Sequence, residues 1–337
     1  MKRVCAIAAL LFSGTVFSQD KVLNLYSSRH YQTDEALYAN FTRQTGIKIN
    51  RIEAAEDPLI ARIQNEGARS PADVLLTVDA GRLWRAQQLG FFQPVKSAVL
   101  DARIPASLRE PNGLWYGFST RARVIAFNRA KVNPAEIQTY ESLADPKWKG
   151  RICMRSSTNI YNLSLMGAMI DHLGAQKAEA WAGAVKANLA RDPKGGDTDQ
   201  LKAVAAGECD VTLSNQYYYA RLARSQKPDE RAVAEKVALL FPNQGSFGTH
   251  VNISGAGVMK NAPNRENAVR FLEYLASDEA QRYFAEGNNE WPVVAGVRTE
   301  NPILSTFPPF KRDSINVAVF GRNQPDSQRI YDRVAWK

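Results

Sequence analysis

The sequence predicts an α/β protein, on three observations. Short apolar runs alternate with stretches of helical period along most of the chain, the pattern of a sheet flanked by helices. The 337 residues suffice for roughly two domains of about 150 residues each. With 45% hydrophobic and 23% charged residues, the composition is that of a soluble globular chain and not of a disordered or collagen-like one.

The elements follow in order. Residues 22–26 (VLNLY) read as a strand, and 33–45 as a helix with Ala36, Leu37, Ala39 and Phe41 on its apolar side. A strand over 50–53, a helix over 57–66, a buried strand over 72–77 and a helix over 80–89 closed by Gly90 come next. This repetition argues for parallel strands. Residues 115–119 and 123–128 read as two strands separated by Thr120-Arg121-Ala122. A second βαβ region runs from 150 to 240, with helices over 162–173, 175–189 and 198–206, the last closed by Gly207. Residues 253–258 form a further strand. The stretches 265–276 and 278–286 are helices of 3.6 period, with Phe271, Leu272, Leu275 and Phe284 on apolar faces.

The N-terminus is an address. Met1-Lys2-Arg3, the apolar run 4–16 and the small Ser18 before Gln19-Asp20 make a secretory signal peptide over 1–18, so the mature protein is expected in the periplasm. The run is too short to span a bilayer core of about 30 Å as a permanent helix, and no later run is long enough. Removing it removes Cys5. Cys153 and Cys209 remain, each in a strand-like run, in a compartment where disulfides persist. Two states stay open for them: a disulfide across neighbouring strands, or two buried free thiols.

Several chemistries are excluded. Three Cys and three His, without HExxH or a paired CxxC, leave no conventional zinc site or redox dithiol. There is no Gly-x-Ser-x-Gly elbow, and His172 and His250 have no partners spaced for catalysis, so no enzyme is expected. Gly195-Gly196-Asp197-Thr198-Asp199 lacks the spacing of a phosphate loop and reads as a turn with a helix cap. The net charge of +9 is scattered, densest at Lys147, Lys149 and Arg151, and no nucleic-acid partner is expected.

Three segments carry a resemblance. Residues 145–152 (DPKWKGRI) resemble the phrase that opens the second lobe of many periplasmic solute-binding proteins. Residues 268–281 and 288–293 (NNEWPV) resemble their C-terminal segment. Tyr26 to Tyr31 (YSSRHY), Arg155 to Asn162 (RSSTNIYN) and Asn215 to Tyr218 (NQYY) are similar to the ferric-iron-binding proteins of ABC importers. The resemblance covers essentially the whole mature chain. It implies a two-lobed periplasmic binding protein of type 2, with a ligand cleft between lobes joined by crossing strands near 119–121 and 243–248. One lobe would comprise 19–120 and 249–290, the other 121–248 and 291–337. It further implies a monomer that passes its ligand to an ABC permease.

The tyrosines fit that ligand. Tyr31 follows the first strand. Tyr161 lies beyond the polar stretch 156–159, and Tyr217 and Tyr218 come after the Cys209 strand, past Ser214-Asn215, a natural N-cap pair. Ferric iron is a hard ion that favours anionic oxygen. A phenol has a pKa near 10 and is neutral at pH 7, but a bound cation stabilises the phenolate and so deprotonates its own ligand. The expected ligands to Fe(3+) are therefore Tyr31, Tyr161, Tyr217 and Tyr218. His30 is an optional fifth, since adjacent residues both ligate only in a turn. Arg29, Arg121, Arg123 or Arg155 would offset charge or hold a co-bound anion such as carbonate. Tyr219 is expected to diverge by about 100° and pack against a lobe. Tyr26, Tyr38, Tyr116, Tyr140, Tyr274, Tyr283 and Tyr331 read as core or interface residues. The alternative is the same fold binding a small organic anion or a sugar, with 217–219 as a stacking platform.

Overall fold

A computed structural model describes residues 21–29 and 33–337. The expected signal segment 1–18 and the expected ligands His30 and Tyr31 lie outside the described residues. Among the described residues, nine strands form one mixed sheet: β1 (Val22–Ser27), β2 (Lys48–Glu53), β3 (Val74–Val78), β4 (Tyr116–Asn128), β5 (Ile152–Cys153), β6 (Val211–Asn215), β7 (Val237–Leu240), β8 (Val251–Val258) and β9 (Trp291–Pro292). The order is β2-β1-β3-β8-β4-β6-β5, with β7 and β9 also paired to β4.

The parallel reading holds only in part. β1 runs parallel to β2 and β3, and β5 parallel to β6. β8 is antiparallel to both β3 and β4, and β4 is antiparallel to β6, β7 and β9.

β4 and β8 join the two halves of the molecule. Up to Ala122, β4 pairs with β8; from Arg123 onward it pairs with β6. The two strands read from the sequence are thus one, because Thr120, Arg121 and Ala122 are buried within the continuous strand. Arg121 Nη1 donates to Ser254 Oγ at 2.9 Å, and Arg123 Nη1 donates to Asp197 Oδ2 at 2.6 Å. One core packs around Leu25, Phe41, Leu76, Phe118 and Phe271, another around Ile125, Trp148, Met166, Trp181 and Val211. They lie on opposite sides of this change of partner, which leaves a cleft between them.

Most predicted helices stand within a few residues of their expected bounds. The helices Ala98–Arg103, Pro228–Lys236, Ala318–Arg322 and Gln324–Arg333 were not anticipated. Pro228 and Pro325 occupy first-turn positions, where a missing N–H costs nothing and marks a start. The short helix Ala318–Arg322 packs between the helices Ala80–Gln88 and Ile160–Leu173, where a Cβ on Gly321 would overlap the Trp84 side chain. No helix among the described residues is long and apolar enough to cross a membrane.

Cys153 and Cys209 form a disulfide with a Cα separation of 5.8 Å. It ties β5 to the segment entering β6, across neighbouring strands as the sequence allowed.

Close to the crossing, His250 is 2% exposed and its ring packs on Phe320. Burial, then Arg123, Arg121 and His172, pushes its pKa down to about 3. The sign follows: below its ordinary value of 6.5 the unfolded chain takes up a proton that the folded chain refuses. Stability is therefore fully present above about pH 6.5 and falls as the pH drops from there toward 3. His250→Gln is expected to flatten urea-measured stability against pH in that window. An unchanged slope would contradict the assignment.

Candidate metal centre

Two segments of one half of the molecule deliver three tyrosines to a common point. The helix Ile160–Leu173 starts at the N-cap Asn159, whose Oδ1 accepts from the Tyr161 N–H at 3.1 Å. This leaves Tyr161 in the first turn, at the helix mouth. The helix Gln216–Ala223 begins directly at the end of β6, so Tyr217 and Tyr218 leave the sheet at the same edge. Its start is pinned by Gln216, whose Oε1 accepts from the Ala122 N–H at 2.9 Å and whose Nε2 donates to the Asn289 carbonyl at 2.8 Å.

The phenols meet. The Tyr161 and Tyr217 hydroxyls are 3.2 Å apart. The Tyr217 and Tyr218 rings lie 4.3 Å apart, with a hydrogen bond between their side chains. Burial first, then Tyr161 and Asp197, pushes the Tyr218 phenol above its ordinary range, against the Tyr217 hydrogen bond and Arg155. It is a neutral phenol at pH 7 unless a cation ionises it. Tyr219 turns away as expected: its hydroxyl donates to the Ala234 carbonyl at 3.3 Å, and its ring faces Phe307.

Guanidinium groups surround the phenols. Arg121, Arg123 and Arg155 stand 5.9, 5.8 and 5.4 Å from the Tyr161 ring centre, and Arg221 stands 5.1 Å from that of Tyr218. Arg121 is buried, and among the described residues neither its Nε nor its Nη2 has a hydrogen-bond partner. Across the cleft, Arg29 stands two residues past the end of β1 and immediately precedes His30 and Tyr31 in sequence. Its Nε donates to Asp34 Oδ2 at 2.9 Å, and Nη1 lies 3.5 Å from Glu290 Oε2. Beside the phenols the cleft opens into a space of about 410 Å³, lined by Glu56, Arg82 and Arg85 from one half and Arg155, Ser156 and Asn159 from the other. Among the described residues no group of three or more His, Cys, Asp and Glu is placed to hold a metal ion. The donors gathered here are phenolic oxygens.

Sequence reading singled out Tyr161, Tyr217 and Tyr218, and the fold brings these three together. It passed over the residues that hold them. Asn215 stands at the N-cap of the helix Gln216–Ala223 as expected, but its side chain makes no capping bond and its Oδ1 accepts from Arg123 Nη1 at 3.3 Å. Asp197 and Glu290 stood inside quoted segments but carried no signal of their own, because their partners are distant in sequence.

Known proteins resemble this chain over nearly its whole length. "Iron uptake protein A2" of Synechocystis is 55% identical over 322 residues, covering 95% of this chain and 91% of the relative. The "Major ferric iron-binding protein" of Neisseria meningitidis serogroup B is 29% identical over 312 residues, 90% and 88% of the two chains. The solved structure of Trichodesmium IdiA (FutA) "in complex with iron and citrate ligands" superposes with a TM-score of 0.91 at 58% identity, over 94% of this chain and all of that one. The "Ferric binding protein from Campylobacter jejuni" superposes with a TM-score of 0.89 at 38% identity, again over 94% and all of the two chains. These are named as iron-uptake and iron-binding proteins, not as enzymes. Residues 69–316 match the family described as bacterial extracellular solute-binding protein. With a two-lobed α/β frame, a cleft at the strand crossing and this coverage, the chain belongs to the bacterial extracellular solute-binding protein family.

Proposed function

We propose that this protein captures ferric iron through tyrosine phenolates in its interlobe cleft and delivers it to an ABC permease from the periplasm. The observation that carries the reading is the convergence of the Tyr161, Tyr217 and Tyr218 phenols, with two hydroxyls 3.2 Å apart, inside a ring of arginines. Two neutral phenols gain little from that proximity. A trivalent cation turns them into anionic oxygens of the hardness it prefers. Tyr31, with His30 as an optional donor, completes the set from the other half when the lobes close. The lobes are 19–120 with 249–290, and 121–248 with 291–337, preceded by a signal peptide over 1–18. The buried Arg121 and the half-buried Arg155 offset the phenolate charge or hold a co-bound anion, carbonate or a carboxylate, and the monomer needs no nucleic acid. The iron and citrate named in the Trichodesmium structure and the ferric-iron-binding names of the relatives support this.

Ferric iron offered to metal-free protein from a weak chelator is expected to produce a visible phenolate-to-iron charge-transfer band. A colourless protein overturns the proposal. If the ligand were instead an organic anion or a sugar, calorimetry on metal-free protein would show binding without iron.

Acid should release the metal. Iron binds the deprotonated ligands, so each bound ion displaces protons, and affinity falls as the pH falls. The band amplitude is expected to decline steadily from neutral pH and to be lost by about pH 4, where even carboxylates take up protons. A band that persists unchanged to that pH contradicts phenolate ligation.

A further inference from the structure

Asp197 lies at the turn 195–199, which the sequence offered only as a helix cap. That capping task falls to Asp199, whose Oδ2 accepts from the Gly196 N–H at 2.7 Å. The Asp197 side chain, 0% exposed, points into the protein. Its Oδ2 accepts from Arg123 Nη1 at 2.6 Å and from the Asn215 N–H at 2.8 Å; its Oδ1 accepts from Arg155 Nη1 at 3.1 Å.

Those three partners belong to the segments that carry the phenols. Arg155 opens the loop leading to Tyr161. Arg123 also donates through Nη2 to Asn162 Oδ1 at 3.0 Å, next to Tyr161. Asn215 stands two residues ahead of Tyr217. Both arginines lie within 5.8 Å of the Tyr161 ring centre. One buried carboxylate thus fixes the positions of two cations against the face of one phenol and anchors the strand end that delivers the other two. It also sets their charge, because a single negative charge is shared between two positive ones.

We propose that Asp197 is a positioning residue of the iron centre, holding Arg123 and Arg155 against Tyr161 and setting the electrostatic field on its phenolate. The inference rests on the phenolate reading given above. Its consequence is electronic as well as steric. Positive charge beside a bound phenolate lowers the energy of the electron it donates to iron, so the charge-transfer band moves to shorter wavelength, and negative charge moves it the other way. Buried charges at this range are little screened by salt.

The test compares the charge-transfer band of iron-loaded wild-type protein with those of Asp197→Asn, Arg155→Gln and the double variant. Asp197→Asn keeps an oxygen acceptor for the Asn215 N–H but releases both guanidinium charges. Its band is expected to move to shorter wavelength by tens of nanometres. Arg155→Gln is expected to move it to longer wavelength, and the double variant to return it close to the wild-type position. A purely structural role for Asp197 gives no such return. A band in Asp197→Asn that coincides with wild type overturns the proposal. If Asp197→Asn does not fold, Arg155→Gln decides alone, since its side chain is 18% exposed and its loss is tolerable: an unmoved band overturns the proposal. A wild-type protein that shows no band at all overturns the phenolate reading itself, before any variant is compared.

Discussion

Changing Tyr217 and Tyr218 together to phenylalanine is expected to diminish the visible iron band and to weaken ferric binding by at least about ten-thousandfold. The magnitude follows from comparison: outer-shell partners of metal ligands are each worth roughly 10–100-fold in affinity, and here two inner donors are lost. The fold should survive. Phenylalanine keeps both rings, so the 4.3 Å ring contact is retained. The lost Tyr161–Tyr217 hydroxyl contact costs about 1 kcal/mol, the net value of an ordinary hydrogen bond. Competition with a chelator of known strength measures the first effect, and thermal unfolding of metal-free protein measures the second. Tyr219→Phe is the matched control. It removes the hydrogen bond to the Ala234 carbonyl and the one accepted from Arg129 Nη2, and should bind iron as wild type does. A double variant that keeps the full band, or a Tyr219→Phe variant that loses it, would place the donors elsewhere.

Removing the disulfide is the second large effect. Cys153 and Cys209 are 56 residues apart in sequence, and a cross-link closing a loop of that length stabilises by about 4 kcal/mol in the chain-entropy account. Against a total stability of about 5–15 kcal/mol, that is a quarter or more. Cys153→Ser with Cys209→Ser is therefore expected to lower the urea midpoint sharply and to raise the slope, since the uncrosslinked denatured chain exposes more surface, and reductant should do the same to wild type. Both sulfurs are buried among Ala126, Leu201, Val204 and Leu222, so serine hydroxyls there add a desolvation cost of about 1–3 kcal/mol each if left without partners. A loss below about 1 kcal/mol would contradict the loop-closure account. Since the bond staples the strand before Tyr161 to the segment entering the strand before Tyr217, the same variant should also take up iron more weakly.

Much of the fold was legible because it depends on local pattern. The helix Arg265–Leu275 buries Ala268, Phe271, Leu272 and Leu275, and that stripe is visible in the sequence. β3, buried at every position, reads as an apolar run broken only by Thr77. The errors came where tertiary partners override pattern. Thr120-Arg121-Ala122 looked like an interruption, yet Ser254, on β8, and Glu290, before β9, take up Arg121 inside the sheet. The direction of β4 against β8 was also hidden, because antiparallel crossing strands in a largely βαβ sequence leave no local mark. The helix Ala318–Arg322 is five residues long, too short for periodicity to register.

The site divides along the same line. Tyrosines following strands can be read in order, and the fold brings Tyr161 and Tyr218 each close to Tyr217. Asp197 and Gln216 could not be read that way. Asp197 works through Arg123, 74 positions away, and Gln216 through Ala122, 94 positions away. A buried carboxylate between two guanidinium groups is recognisable only once the chain has folded.

Resonance Raman spectroscopy of the iron-loaded protein, excited within its visible band, tests the central claim most directly. Only vibrations of groups that share the electronic transition are enhanced. The account predicts strong tyrosinate ring modes that weaken in Tyr161→Phe and weaken further in the Tyr217, Tyr218 double variant. Iron-loaded protein whose spectrum lacks tyrosinate modes would contradict it.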